Sequence, residues 1–193
     1  MADEKTDDAD PTLDEDGIQI KTYVSQVLIV VPTKDFGEQA LRYARSCLLN
    51  VHVGTRSVSP QFDEMVVGRL QDEFLVDQPL AGISLDGYSG VIFSGGGGAL
   101  ELAGDQDAQR LAREAVRDGK LIGAFGEALA VLVNAGVVKG QRVTGPRAMQ
   151  ADVKRAGGKY TSRQVVTSGK LVTAIDESAG MRFGKALAAV VDI

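Results

Sequence analysis

Five consecutive apolar residues at positions 27–31, with the sequence VLIVV, constrain the fold of this chain more than any other feature. A strand with one face in water alternates apolar and polar side chains, so an unbroken apolar run indicates a strand buried on both faces. Such strands occur in parallel sheets that helices cover on both sides. The run therefore predicts a central parallel strand.

Short strands and amphipathic helices alternate along the rest of the chain. Strands are predicted at residues 51–53, 90–93, 120–125 and 142–144 and within 164–175, with either a short hairpin or an irregular excursion between 65 and 80. Helices are predicted at residues 36–49, from about 105 with Val116 on its buried stripe, and at 127–134, 148–156 and 178–190. This order predicts an α/β domain, a flavodoxin-like three-layer sandwich whose mostly parallel central sheet carries helices on both faces. Ligands are expected at the carboxyl ends of its strands.

The first 17 residues contain eight acidic side chains and one lysine, a formal charge of −7. An acidic segment without aromatic residues buries too little apolar area to offset the entropy of ordering it. We therefore predict a disordered acidic tail over residues 1–22 and a single domain over residues 23–193. Docking of the tail to a basic partner is the alternative.

Composition excludes several classes of function. No apolar run reaches the roughly 18 residues of a membrane span, and the N-terminus shows no export signal. Outside the tail the formal charge is near +2 and tryptophan is absent, so we expect neither nucleic acid nor a membrane as a partner. One cysteine and one histidine allow no intramolecular disulfide and no ordinary Cys/His zinc site. We predict no metal and no cofactor, and a cytoplasmic location.

Two glycine-containing turns leave the ends of predicted central strands. The first is the tetraglycine at 95–98, and the second spans residues 123–128. Consecutive glycines let main-chain amides approach an anion or an oxyanion closely, although a tight turn alone also explains them. Neither turn has a Walker or a dinucleotide-binding signature. Both turns are expected to open into the same cleft.

Several successive segments resemble the ThiJ/PfpI family, which has the class I glutamine amidotransferase-like fold. The resemblance extends from about residue 27 to 191 and lies in segments 90–96, 118–125, 135–144, 152–160 and 165–173. In that family the strand similar to 120–125 ends in a strained turn bearing a reactive cysteine, usually followed by histidine. The register places these residues at Gly126 and Glu127, so the resemblance implies that the nucleophile is lost.

A second departure concerns the acidic partner of that cysteine. The resemblance places it after Phe36, where this chain has Gly37, with Glu38 one position late. Cys47 lies on the apolar stripe of the first predicted helix, and His52 lies in a predicted short strand. We interpret Cys47 as a small buried apolar residue and His52 as a packed or edge histidine, rather than as a relocated catalytic pair.

Glu127 is the tentative catalytic candidate, because it begins a buried helix where free amides favour a carboxylate. Capping of that helix is the alternative. The ligand-binding candidates are Ser94, Gly95, Gly96 and Gly126, and the family counterparts of Gly95 and Gly96 help to form an oxyanion hole.

These residues favour a chemically divergent family member, a pseudoenzyme that binds a small molecule or partner in a remodelled cleft. The resemblance also implies a homodimer. A cofactor-free hydrolase, hydratase or lyase that uses Glu127 on a small carbonyl, amide or isonitrile is the rival hypothesis. A stress-related chaperone or deglycase is the third hypothesis, although deglycation as proposed for the family relies on the cysteine.

Overall fold

The structure is a computed structural model that describes residues 23–62 and 65–192. Its strands are β1 (Ser25–Val30), β2 (Lys34–Phe36), β3 (Val53–Ser59), β4 (Met65–Gly68), β5 (Glu73–Leu75), β6 (Gln78–Pro79), β7 (Gly90–Phe93), β8 (Leu121–Phe125), β9 (Arg142–Val143), β10 (Lys159–Tyr160), β11 (Val165–Ser168) and β12 (Leu171–Ala174). Its α-helices are α1 (Glu38–Leu49), α2 (Ala99–Gly104), α3 (Gln106–Arg117), α4 (Leu129–Asn134), α5 (Gln150–Arg155) and α6 (Gly180–Val190). The tail predicted at residues 1–22 lies outside the described residues.

Seven strands form the main sheet, in the order β11-β12-β8-β7-β1-β3-β6. All neighbouring pairs are parallel except β11 with β12, which form an antiparallel hairpin at one edge. The apolar run identified from the sequence supplies β1, which lies between β7 and β3 and is buried on both faces. The predicted central parallel strand and the α/β sandwich are thereby confirmed.

Helices cover both faces of the sheet, and each face has its own apolar core. Side chains from α2, α3 and α4 pack with Leu28, Val91 and Phe93 on one face. Side chains from α1 and α6 pack with Ile29, Ile92 and other residues on the opposite face. Alternate residues of the same strand thus enter different layers, as the pleat requires.

Two predicted details were wrong. The strand placed at 51–53 begins only at Val53 and runs to Ser59, and exposed His52 instead has a positive φ of 59° in the turn before it. Val116 was expected to be buried but is 53% exposed. It lies at the edge of the α3 stripe, whose centre is formed by Ala108, Leu111 and Ala115.

A hairpin of β4 and β5 pairs with β2 as a separate three-stranded sheet beside α1, so the hairpin is the one of the two predicted alternatives that the structure contains. The buried carboxylate of Glu38 stabilises the turn of this hairpin. Its Oε1 accepts hydrogen bonds from the amides of Leu70 at 2.5 Å and Asp72 at 3.4 Å. Among the residues described, no helix is both long and apolar enough to cross a membrane.

Candidate functional site

The two glycine turns meet at the carboxyl end of the sheet. Gly126 directly follows β8, and Gly95 follows the neighbouring strand β7 after one residue. A Cβ atom built on Gly126 would lie 4.0 Å from the Cα of Gly95 and 4.0 Å from the Cα of Asp176. The prediction that both turns open into one cleft agrees with this geometry.

Gly126 has a left-handed backbone, with φ of +58°. Its built Cβ meets only ordinary van der Waals contacts, so the turn has space for a side chain although the chain provides none. An L-residue there would carry backbone strain but would not collide with a neighbour. Whether this is the register of the family nucleophile stays a prediction.

The tetraglycine is shaped largely by close packing. Gly96 alone among its four residues has a positive φ, at +103°. Side chains at Gly96 and Gly98 would overlap the backbone carbonyls of Asp35 and Lys34, respectively. Backbone freedom and close approach to β2 therefore account for part of the glycine run, as the tight-turn alternative proposed.

Glu127 points across the cleft. Its Oε2 accepts a hydrogen bond from the main-chain amide of Gly96 at 3.3 Å. Neither the 3₁₀ turn Gly126–Ala128 nor α4 has a side-chain cap, so this carboxylate does not cap its own helix. The amide predicted to hold an oxyanion is already paired with a carboxylate of the same chain.

Ser94 lies beneath the turn and not in the cleft. It is fully buried, its amide donates to Val30 O at 2.9 Å, and its Oγ has no hydrogen-bond partner. The structure therefore gives no support to the direct ligand contact predicted for Ser94.

The cleft has a volume of about 350 Å³. Its lining comes from α1, the β4–β5 turn, both glycine turns and the segment after β12: Gln39, Arg69, Gly96, Phe125, Gly126, Glu127, Asp176, Glu177 and Ser178. Gly95, a predicted ligand-binding residue, is not part of this lining, and a Cβ at its position would overlap Phe125. No group of three or more His, Cys, Asp or Glu residues suited to a metal ion occurs in the described part of the chain.

Glu177 is one of the cleft residues that the sequence analysis missed, together with Gln39, Arg69, Asp176 and Ser178. A Cβ built on Gly37 would lie 2.6 Å from its Oε1 and 2.7 Å from Cε2 of Phe125. The Glu177 carboxylate therefore occupies the space that a side chain at position 37 would take. Glu177 lies far along the chain in a short 3₁₀ turn, and no motif in the sequence indicates this contact.

The surroundings of Glu177 make its carboxyl group unusual. Burial raises the pKa of Glu177 above its ordinary value, and the carboxylates of Glu38 and Asp176 act in the same direction. The guanidinium of Arg69 and the amide of Gln39 oppose these effects only in part. This carboxyl group therefore holds its proton more strongly than a glutamate in water does.

Cys47 and His52 lie elsewhere. Cys47 is a half-buried free thiol on α1, and its Sγ lies 2.9 Å from the Cβ that a side chain at Gly184 of α6 would have. Neither Cys47 nor His52 lines the cleft. Cys47 is half-buried rather than fully buried, and His52 is exposed in a turn rather than placed in a strand, so the structure corrects both details while keeping the two residues out of the cleft.

Comparison with known proteins identifies relatives of this chain. The uncharacterised protein MJ0967 of Methanocaldococcus jannaschii is 28% identical over 164 residues, which cover 83% of this chain and 79% of that protein. DJ-1 protein homolog E of Arabidopsis thaliana is 32% identical over 102 residues, 52% of this chain, but the match spans only 26% of that longer relative.

Solved structures share the fold at low identity. The crystal structure of a ThiJ/PfpI domain protein from Brachyspira murdochii has a TM-score of 0.82 at 22% identity, covering 87% of this chain and 96% of that one. Drosophila melanogaster DJ-1beta has a TM-score of 0.77 at 22% identity, covering 86% and 90%. A family model described as the DJ-1/PfpI family matches residues 25–190. Because that match spans most of the sequence, this chain belongs to the DJ-1/PfpI family, also called ThiJ/PfpI.

Proposed function

We propose that this protein is a ligand-binding member of its family that works without thiol chemistry. The observation that carries the proposal is Gly126, a residue without a side chain in a left-handed turn at the floor of a polar cleft. Glycine supplies no nucleophile, whereas the cleft keeps a defined shape and several polar groups that suit recognition of a small molecule.

A library screen by thermal shift tests this proposal. The cleft-filling variant Gln39→Phe introduces a large side chain at an exposed lining position of α1, and Lys185→Phe makes the same change on the exposed side of α6. Ligands of the cleft should stabilise the wild type and Lys185→Phe but not Gln39→Phe. Hits that stabilise all three proteins equally would place binding elsewhere and contradict the proposal.

An enzyme that uses Glu127 is the second candidate. Its support is the position of the Glu127 carboxylate beside the Gly96 amide, where an acid/base group and a hydrogen-bond donor face the same space. This hypothesis predicts turnover of methylglyoxal, glyoxal, small amides or isonitriles that Glu127→Gln abolishes and that follows the ionisation of a carboxylate. Absence of wild-type turnover together with activity gained in Gly126→Cys would favour the loss of a nucleophile from an intact scaffold.

A chaperone or deglycase role ranks third. A deglycase of Thermococcus kodakarensis is 26% identical over 98 residues, which cover 51% of this chain. The resemblance assigns the cysteine of that chemistry to the position of Gly126. A retained activity of this kind would need a different nucleophile, and neither Cys47 nor His52 lines the cleft.

We also propose a cytoplasmic location, because a reducing compartment would suit the free thiol of Cys47.

We propose in addition that the protein forms a homodimer through the β4–β5 hairpin. The outward face of the hairpin presents exposed Met65, Val67 and Leu75, and Met65 lies opposite Leu75 in the ladder. A double Met65→Lys/Leu75→Lys variant should sediment as a monomer, whereas Leu100→Lys at an exposed site on α2 should leave the dimer intact. Equal molecular masses for all three proteins would contradict this interface.

A further inference from the structure

The outer edge of strand β3 has no strand partner along its first half among the described residues. We propose that residues 18–22, with the sequence IQIKT, add to this edge as an extra strand antiparallel to β3. The occupant is thus the segment of the same chain that directly precedes Tyr23. Three features of the molecule support this docking: the main-chain pairing of β3, the groove beside it and the point where the described chain begins. Docking there does not require a ligand in the cleft.

The main chain of β3 faces two different edges. The carbonyl of Val58 accepts from the amide of Val31, which follows β1. The amide and the carbonyl of Ser57 instead pair with the carboxylate and the amide of Asp77, at 2.7 and 3.1 Å. Because alternate residues of a strand direct their main-chain groups to the same edge, Thr55 presents its amide and carbonyl on the side of Ser57. Strand β6 pairs only with the last two residues of β3, so no described strand reaches Thr55 from that side.

A groove of about 450 Å³ lies beside this edge. Residues 53–55 of β3, helix α1 and strand β5 line it, and its apolar side chains include Leu49 and Phe74. Leu49 is 43% exposed. Further along the edge β3 and β5 come together, where Ser57 Oγ donates to the carbonyl of Leu75 at 3.0 Å. An unpaired strand edge beside an apolar groove is the arrangement that takes up an extended peptide as an added strand.

The sequence of the segment suits such a position. Ile18 and Ile20 alternate with Gln19 and Lys21, which is the pattern of a strand with one apolar face and one solvated face. The segment contains no acidic residue, in contrast to the residues before it. Its two isoleucines can therefore enter the groove while the polar side chains remain in water. This placement shortens the predicted disordered tail to the acidic residues 1–17.

The described chain begins at the groove itself. Tyr23 belongs to the lining, and a Cβ built on Gly54 would lie 2.8 Å from the Tyr23 ring. The amide of Val24 donates to the carbonyl of His52 at 3.0 Å, which holds the chain beside the start of β3. Five extended residues reach about 16 Å, and residues 53–57 of β3 span about 13 Å. The segment can therefore follow the free edge without a linker, and it runs antiparallel to β3 because Tyr23 lies where β3 begins.

Nuclear Overhauser effects in the full-length protein test the pairing directly. Contacts between the α-protons of residues 18–22 and 53–55 are expected, in the pattern of antiparallel strands. A mixture of ¹⁵N-labelled and ¹³C-labelled protein separates contacts within one chain from contacts between two copies. Contacts between copies would mean that a second copy supplies the strand, and this result would overturn the proposal. A folded protein without contacts between these two segments would overturn it as well.

Substitutions in the full-length chain test the apolar face of the segment. Ile18→Ser/Ile20→Ser should speed hydrogen exchange of the Thr55 amide by about tenfold or more, which corresponds to about 1.4 kcal/mol, because it removes the apolar contacts that hold the strand. Gln19→Ser/Lys21→Ser makes the same change on the opposite face and should leave this exchange unchanged. The Val58 amide, which faces β1, reports any loss of stability in the whole domain.

The exchange rates also identify a different occupant of the groove. Slow exchange at Thr55 that persists in Ile18→Ser/Ile20→Ser would assign the edge to another partner and would overturn the proposal. Fast exchange at Thr55 in the wild type would mean that nothing covers the edge, with the same consequence. Ligand binding in the cleft is expected to be independent of these results, so the proposed function stands or fails separately.

Discussion

The Oε2 atom of Glu127 lies 3.3 Å from the main-chain nitrogen of Gly96 and accepts its hydrogen bond across the candidate cleft. The two residues are 31 positions apart and belong to turns that leave adjacent strands, β8 and β7. The Gly96 amide, which was predicted to bind an oxyanion, therefore already donates to a carboxylate of the same chain. Any ligand that uses this amide must first displace Glu127.

Removal of this acceptor should free the Gly96 amide. Glu127→Ala should speed its hydrogen exchange by about tenfold and lower the free energy of unfolding by about 0.5–1.5 kcal/mol, since the bond is long and the side chain is partly exposed. Glu127→Gln keeps an acceptor oxygen and should show a smaller effect. Exchange measured by NMR that is the same in all three proteins would contradict the hydrogen bond.

Gly126 should tolerate a small side chain at a modest cost. Its left-handed φ penalises Gly126→Ala by about 1–2 kcal/mol, and the built Cβ has no contact closer than 4.0 Å. Gly136 has a similar φ of +75° with open space around it, so Gly136→Ala is a matched control. We expect the two substitutions to lower the free energy of unfolding, measured in urea, by the same amount. A much larger loss at Gly126 would mean that the cleft has no space for a nucleophile there.

The predictability of the fold varied with how completely a segment is buried. The VLIVV run is buried on both faces, so its composition alone identified β1. Strand β3 contains Thr55, Arg56 and Ser57 and has only the two-residue β6 beyond it, so its pattern was too polar to be recognised beyond Val53. Val116 shows a related failure, because periodicity does not fix where a buried stripe ends.

The candidate site was predictable only where its residues lie in the turns themselves. Gly96, Gly126 and Glu127 directly follow strand ends, and parallel strands bring such turns together. Arg69 and Glu177 reach the cleft from a hairpin turn and from the segment after β12, 108 positions apart. Such a contact depends on tertiary packing, and no spacing rule within one segment can indicate it.

The contact between Gly37 and Glu177 predicts a specific coupling. Gly37 has an ordinary φ of −82°, so Gly37→Ala carries no left-handed strain and its cost comes from overlap with Glu177 and Phe125. We expect Gly37→Ala to lower the free energy of unfolding by about 1–3 kcal/mol. Gly104 lies at the end of α2, and a Cβ added there would have no atom within 4 Å. Gly104→Ala should therefore raise the free energy of unfolding by less than about 1 kcal/mol.

A double-mutant cycle isolates the overlap. Combining Gly37→Ala with Glu177→Ala should cost less than the two single losses together, with a coupling of about 0.5–3 kcal/mol, because the second change removes one of the colliding groups. Urea unfolding of the four proteins measures it. Additive losses would mean that Glu177 does not occupy the space beside Gly37.

The pH dependence of the free energy of unfolding should include a contribution from the titration of Glu177. Burial raises the pKa of this carboxyl group in the folded state, so the folded protein binds the proton more tightly than the unfolded chain does. The stabilising contribution is therefore fully present below the unfolded pKa, about 4.3 for glutamate. It is lost as pH rises through the higher folded value. Arg69 works against this loss, while Glu38 and Asp176 add to it.

Glu177→Gln removes the titrating group and keeps the shape of the side chain. The free energy of unfolding of the wild type relative to this variant should fall as pH rises from the acid range toward neutrality. Glu101→Gln, whose side chain is 54% exposed, should show no such trend. A wild-type advantage that instead grows with pH would mean that the ion pair with Arg69 outweighs burial and lowers the pKa of Glu177.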